Sequence, residues 1–233
     1  MSLKIFCDFD GTITHRDTPG VLFAEVKEIH DLGKKYEKKE LLSNDFWTFV
    51  TKNSRTFVPG EIEEFFRTFP IDETFIPFAD FCKSRKLDLF IVSDGLDFYI
   101  HGIFEANHIE GVPVFANSAV MADGRLHVTF PFTREHCTMT ANCKCLHVLD
   151  NAGEEDSIVY IGNGTSDCCP AERSDIVFAK DRLAVYCEAN GIPYHNFHTF
   201  AEIQLQLEKY AARVKPYKRK AAELKRKELW LLE

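Results

Sequence analysis

The chain has 233 residues, 45% hydrophobic and 27% charged, with 21 Phe against 2 Trp and a formal net charge of −8. This composition excludes general disorder, and the acidic balance argues against a protein that mainly holds nucleic acid or an acidic membrane surface. The N-terminus shows no cleavable leader and no apolar run approaches the roughly 18 residues of a membrane helix, so a cytoplasmic protein with reduced thiols at its eight Cys is expected.

In chain order, Leu3–Cys7 is a short apolar run that stops at Asp8-Phe9-Asp10-Gly11-Thr12, as a buried strand does at the carboxyl edge of a parallel sheet. Residues 18–80 read as a helical insert. Nine of the 21 Phe fall between Phe46 and Phe81, and Thr18 followed by Pro19 is expected to cap a helix running to about Leu32, before Gly33. A second apolar strand, 87–92, ends at Ser93-Asp94-Gly95, and a third, 157–161, ends at Gly162-Asn163-Gly164. Between them, residues 113–132 read as an inserted hairpin about Asp123-Gly124. A fourth strand, 175–179, follows a short helical stretch.

The tail, 201–233, reads as helices interrupted near Pro216 and carries nine Lys/Arg against five Glu. Its apolar stripe of Leu224, Leu229 and Leu232 suits a docking or homodimer helix better than a nucleic-acid surface. Strands alternating with helices indicate an open α/β sheet, and ligands of such sheets bind beyond the strands' carboxyl ends, where the three polar turns converge.

Two carboxylates two residues apart at a strand end repel unless a cation lies between them, and an oxygen-loving ion such as Mg²⁺ fits. The first can attack phosphorus while the second handles the leaving-group proton.

In these residues the sequence resembles the haloacid dehalogenase superfamily of phosphatases. Asp8-Phe9-Asp10-Gly11-Thr12 is similar to its first motif, Ser93 to the second, Lys144 to the cation of the third, and Gly162 to Asp167 to the acidic fourth. The resemblance implies a Rossmann-like core, residues 1–17 and 81–233, with a small helical cap, 18–80, inserted after the first motif. It implies Asp8 as nucleophile, Asp10 as general acid and base, and Lys144 as the neutralising cation. Substrate and phosphate would fall to Phe9, Thr12, Asp17, Arg55, Ser93, Asp94 and Gly95. Mg²⁺ would fall to Asp8, Asp10, Asn163 and Asp167. Asn163 departs from the family's usual Asp and removes one negative charge, which implies weaker metal binding.

The cap placement resembles the phosphoserine phosphatase-like branch, although Asp17 stands where that branch has a Glu. The opening run through Thr14 and Asp17, the stretch from Ser93 to Phe98 and the Cys-rich approach to Lys144 are closer to the 2-hydroxy-3-keto-5-methylthiopentenyl-1-phosphate phosphatases of methionine salvage. A phosphoserine-type phosphatase or phosphotransferase, and a phosphate-binding protein without turnover, remain as alternatives.

His136, Cys137, Cys143, Cys145 and His147 hold soft-metal donors without standard spacing, and read as packing beside Lys144 more readily than as a zinc site. Cys168 and Cys169, at an expected helix start, are expected to have lowered thiol pKa values.

Overall fold

The structure, a computed structural model, describes residues 3–58, 60–135, 137, 140–212 and 217–231. His136, Pro216 and Leu232, and with them the expected break in the tail and one end of its apolar stripe, lie outside the described residues. The chain opens with β1 (Leu3–Cys7), followed by α1 (Thr18–Leu22), α2 (Ile29–Glu37), α3 (Ser43–Asn53), α4 (Glu61–Thr68) and α5 (Phe75–Ser84). Then come β2 (Asp88–Leu96), α6 (Asp97–Ala106), β3 (Val114–Ala122), β4 (Arg125–Thr129), α7 (Lys144–Asn151) and β5 (Ser157–Gly162). The remainder is α8 (Cys168–Glu172), β6 (Ile176–Ala179), α9 (Asp181–Ala189), β7 (His195–Asn196), α10 (Phe200–Ala211) and α11 (Lys220–Trp230).

The seven strands form one sheet in the order β4-β3-β2-β1-β5-β6-β7, parallel throughout except for β4. β5 is buried along its whole length and β1 nearly so, which is why both read as unbroken apolar runs rather than alternating ones: helices cover both faces.

Three expectations are corrected. The hairpin is not an insert beside the core, because β3 pairs in parallel with β2 and extends the main sheet. Its turn is as read, with Asp123 and Gly124 both at positive φ. The helix expected from Thr18 to Leu32 is two helices. Asp17, not Thr18, caps α1 by accepting from Gly20 N–H at 2.9 Å, and Phe23 closes it after five residues. α2 then runs through Gly33. Finally, the boundary expected at residue 80 falls inside α5, whose Phe75 and Phe78 meet Phe200 of α10 at 4.9 and 5.2 Å between ring centres. Each such buried ring contributes about 1.5–3 kcal/mol, so α5 is fastened to the sheet layer.

The basic tail docks on the core. Arg219 donates to the carbonyls of Ala171, Glu172 and Ser174, and Lys218 and Arg226 bind further core carbonyls. Arg219 and Arg226 thereby satisfy carbonyls at the C-terminal end of α8, the favourable place for cations. Among the described residues no helix is long and apolar enough to cross a membrane.

Candidate active site

Register positions the site. Cys7 lies opposite Ile91 of β2 and Ile161 of β5, and Asp8 N–H donates to the Ile161 carbonyl at 2.9 Å. The three strands therefore deliver Asp8, Ser93 and Asn163 to one rim, where they line a cavity of about 820 Å³ with Asp10 and Gly95. Beyond β1 the Phe9 carbonyl accepts from the N–H groups of Thr12 and Ile13, and Gly11 turns the chain at φ +71°. A Cβ at Gly11 would lie 2.5 Å from Asn163 Nδ2, so glycine here also lets the Asn163 amide keep its place.

Lys144, at the start of α7, is buried between two carboxylates. Its Nζ donates to Asp8 Oδ1 at 2.7 Å and to Asp167 Oδ1 at 2.6 Å. Burial pulls the ammonium down, but Asp167 and Asp8 outweigh it and hold its pKa above the usual lysine range. Asp167 also accepts from Tyr160 Oη at 2.7 Å on Oδ1, and from the N–H groups of Asn163 and Gly164 at 3.0 and 2.8 Å on Oδ2. Both its oxygens are thus occupied by protein donors. Asp8 is pushed up to about 7 by burial and by Asp167, with Lys144 acting against them.

The Thr12 hydroxyl lies 3.2 Å from both Asp8 Oδ2 and Asn163 Oδ1, so these two oxygens converge. Among the described residues no group of three or more His, Cys, Asp or Glu is placed to hold a metal ion. The donors that do converge are oxygens, one carboxylate and one amide, which suits a hard cation carrying water and substrate oxygen as its remaining ligands.

Asp10 is pushed up to about 6, first by burial and then by Asp17. Its Oδ2 accepts from Tyr99 Oη at 2.7 Å and from Ser93 Oγ at 3.4 Å, and Gly95 N–H donates to Ser93 Oγ at 3.0 Å. Asp94 lines the cavity but its carboxylate is engaged: Oδ2 accepts from Tyr36 Oη at 2.7 Å and Oδ1 from Asn142 N–H at 2.9 Å.

Not every expected residue reaches the cavity. The Phe9 ring is fully buried against Tyr99 and Phe104, so the side chain faces the core and only its backbone is near the site. Thr12 stands behind Asp8 rather than on the lining. Asp17 lines the cavity and stays exposed. Arg55 is not on the lining; its guanidinium pairs with Glu61 at 2.7 Å and covers the Phe57 ring. It sits in the link between α3 and α4, where an acidic neighbour on α4 captures it.

The family model described as Putative Phosphatase matches residues 3–227. The chain belongs to that family. It is a phosphatase with the haloacid dehalogenase fold, and phosphatases of that fold are generally dependent on Mg²⁺. A 2-hydroxy-3-keto-5-methylthiopentenyl-1-phosphate phosphatase of Bacillus cereus is 27% identical over 212 residues, covering 89% of this chain and 96% of its own. A protein of the same name from Bacillus thuringiensis is 27% identical over 215 residues, with the same coverage. A phosphoserine phosphatase solved as a phospho-aspartyl intermediate analogue shares the fold, with a TM-score of 0.68 and 18% identity over 88% of this chain and 98% of its own. Cytosolic 5'-nucleotidase IIIB bound to cytidine does so at 0.61 and 15% identity, over 97% and 87%.

In this phosphatase Cys145 and Cys169 face each other where α7 and α8 pack side by side, with their Cα atoms 6.5 Å apart. The pair joins the residue after Lys144 to the helix that follows Asp167. Cys168 is pushed up to about 12 by burial, against the expected lowering, whereas Cys137 is drawn down to about 6 by a hydrogen bond from Cys143. His147 is a core histidine. It stacks on Phe115 at 4.4 Å, meets Phe132 edge-on and shares a hydrogen bond with Asn142, and burial lowers its pKa to about 4.

Tyr36, Trp47, Tyr99, Asn142 and Tyr160 all contact the site, and the sequence reading missed them. Tyr99 follows Ser93 by less than two helical turns and Asn142 precedes Lys144 by two residues, which are the signals that would have found them.

Proposed function

We propose that this phosphatase hydrolyses a small phosphorylated metabolite through an aspartyl-phosphate on Asp8, with Mg²⁺ held by Asp8, the Asn163 side-chain oxygen and the Asp10 backbone carbonyl. The observation that carries the reading is the buried Lys144 ammonium 2.7 Å from Oδ1 of Asp8, the carboxylate that lines the cavity. A fixed cation there stabilises charge on the nucleophile and on transferring phosphoryl oxygens alike. Bound Mg²⁺ would supply further neutralisation of the phosphoryl oxygens. Because each Asp167 oxygen accepts from two protein donors, while Asp8 Oδ2 and Asn163 Oδ1 share only the Thr12 hydroxyl, we assign Asp167 to orienting Lys144 and leave the cation to Asn163.

An oxygen of Asp8 attacks phosphorus, the bond from phosphorus to the leaving oxygen breaks, and that oxygen takes a proton from Asp10. Water then attacks the same phosphorus and gives a proton to Asp10. The bond to Asp8 breaks, and inorganic phosphate leaves a regenerated Asp8. Ser93 and Lys144 hold phosphoryl oxygens, with Gly95 buttressing Ser93, and Asp94 seats the helices above. We assign α1–α4 as a cap over the site, since Tyr36, Phe46 and Trp47 line the cavity from α2 and α3. A closed cap would keep bulk water from the acyl phosphate.

For the substrate we favour 2-hydroxy-3-keto-5-methylthiopentenyl-1-phosphate, the compound in the relatives' name. Phe46 and Trp47 on the lining suit its apolar thioether tail. The exposed Asp17 carboxylate on the same lining supports a second reading, an amine-bearing monoester of the phosphoserine type. We place the protein in the cytoplasm with its soluble substrate, partnered by neither nucleic acid nor membrane; a homodimer would use the exposed Leu224 and Trp230 of α11. A panel of phosphate monoesters tests the substrate. The thioether compound should give the highest kcat/KM, and a higher value for phosphoserine or phosphoethanolamine would overturn that choice.

A further inference from the structure

Several thiols of this chain gather behind the reacting centre. A second cavity of about 240 Å³ is lined by Cys137, Cys145, Cys168 and Cys169, and shares Tyr36, Thr165 and Ser166 with the main one. The reaction as written uses none of these sulfurs.

Two of them are placed to meet. Cys145 lies in the first turn of α7 and Cys169 in α8, and the packing of these helices holds the two Cα atoms 6.5 Å apart. That separation falls inside the roughly 4.4–6.8 Å over which two cysteines can be bridged without moving the backbone. Access to the pair is uneven. Cys145 is 2% exposed, whereas Cys169 is exposed and its Sγ accepts from the Arg173 guanidinium at 3.1 Å. An oxidant therefore reaches Cys169 first, with Cys145 waiting behind it.

Position gives the pair a consequence. Cys145 follows Lys144, and Cys169 stands two residues after Asp167, which accepts from the Lys144 ammonium at 2.6 Å. A covalent link would fasten together the two helices that carry this ion pair, in the arrangement in which Lys144 also meets Asp8.

We propose that Cys145 and Cys169 form a reversible oxidation site, at which hydrogen peroxide converts the two thiols into a disulfide that braces Lys144 against Asp167. The Cys169 sulfur attacks one peroxide oxygen and the O–O bond breaks. The departing oxygen takes the thiol proton and leaves as water, and Cys169 becomes a sulfenic acid. The Cys145 sulfur then attacks the Cys169 sulfur, the S–O bond breaks, and the hydroxyl leaves with the Cys145 proton as a second water. Two thiols are oxidised to one disulfide and one peroxide is reduced to two waters. Exchange with an added dithiol restores both thiols.

The test starts from fully reduced protein. It is treated with hydrogen peroxide, the remaining thiols are alkylated, and the digested peptides are mapped. A cross-link should join the peptide of Cys145 to that of Cys168 and Cys169. It should persist in Cys168→Ser and vanish in Cys169→Ser, which tells the two neighbours apart. With the linked residues 24 positions apart, the oxidised wild type should melt about 5–10 °C higher than the reduced form. It should keep its turnover of p-nitrophenyl phosphate, and dithiothreitol should reverse the shift. Cys169→Ser should show no shift. Cys145 that stays open to alkylation, a cross-link that survives in Cys169→Ser, or a cross-link formed without a rise in melting temperature or with turnover lost would overturn the proposal. The peptide map and the melting shift are read without turnover, so they stand apart from the proposed mechanism.

Discussion

Tyr36 Oη donates to Asp94 Oδ2 at 2.7 Å, joining α2 to the end of β2 at the edge of the cavity. Trp47 Nε1 of α3 donates to the Asp94 carbonyl at 2.8 Å, and Asn117 Nδ2 reaches the same carbonyl from β3. Burial raises the Asp94 pKa, while Asn142 N–H and the Tyr36 and Ser43 hydroxyls favour its charged form. A single motif residue thus seats two helices above the site, so cap position and catalytic geometry share an anchor.

Tyr36→Phe should loosen that seat. A hydrogen bond to a charged acceptor is worth about 1.5–3 kcal/mol, so substrate binding to the closed form should weaken and KM rise roughly tenfold. Steady-state kinetics and limited proteolysis of residues 18–80 check this. An unchanged KM with unchanged protease resistance would show that the contact does not hold the cap.

Lys144→Met should fail in two ways. It removes the charge facing Asp8, so turnover should fall at least 100-fold. It also leaves Asp8 and Asp167 buried without their common partner, which costs about 3–5 kcal/mol when one member of a buried ionic set is removed. Urea denaturation and activity measured together check both effects.

The strand ends and their motifs were legible in the sequence because an apolar run that stops at Asp, Ser or Asn is a local signal. Asp8, Ser93, Lys144 and Asn163 therefore fall together as expected. The Asp94 seat and the Asn142–His147 pair were not legible, because they join residues from separate elements whose partners only the packing decides. Arg55 misled for the same reason: spacing placed it in the cap, but Glu61, six residues on, decides where its charge goes. The helix break after α1 was missed because Phe23 and Val26 are both buried, which keeps the apolar pattern unbroken where the backbone turns.

Stability should depend on pH through the two raised carboxyls. Asp8 and Asp10 titrate near 7 and 6 in the fold, against 3.8 for an ordinary Asp. A folded pKa above the unfolded one favours the protonated native state. The stabilisation is therefore complete below about pH 4 and is lost as pH rises through 6 to 7. Metal-free protein should lose melting temperature across that window relative to Asp8→Asn, and Mg²⁺ should restore most of it. Parallel melting curves for the two proteins from pH 4 to 7.5 would contradict the assignment.

Asn163→Asp should restore the charge that the fourth motif lacks. It should lower the Mg²⁺ concentration needed for half-maximal activity several-fold, because one more negative ligand strengthens a hard-cation site. Without Mg²⁺ the same change adds a carboxylate beside Asp8 and Asp167, so the melting temperature should drop and recover more on Mg²⁺ addition than in the wild type. A variant insensitive to Mg²⁺ in both assays would remove Asn163 from the site.

Hydrolysis of p-nitrophenyl phosphate by wild-type and Asp8→Asn protein, each with Mg²⁺ and with EDTA, is the decisive measurement. Wild type should turn over with Mg²⁺ alone, EDTA should abolish that turnover, and Asp8→Asn should lose at least about 1,000-fold in either condition, as removal of a covalent nucleophile does. Turnover that survives in Asp8→Asn would contradict an aspartyl-phosphate mechanism on this carboxylate.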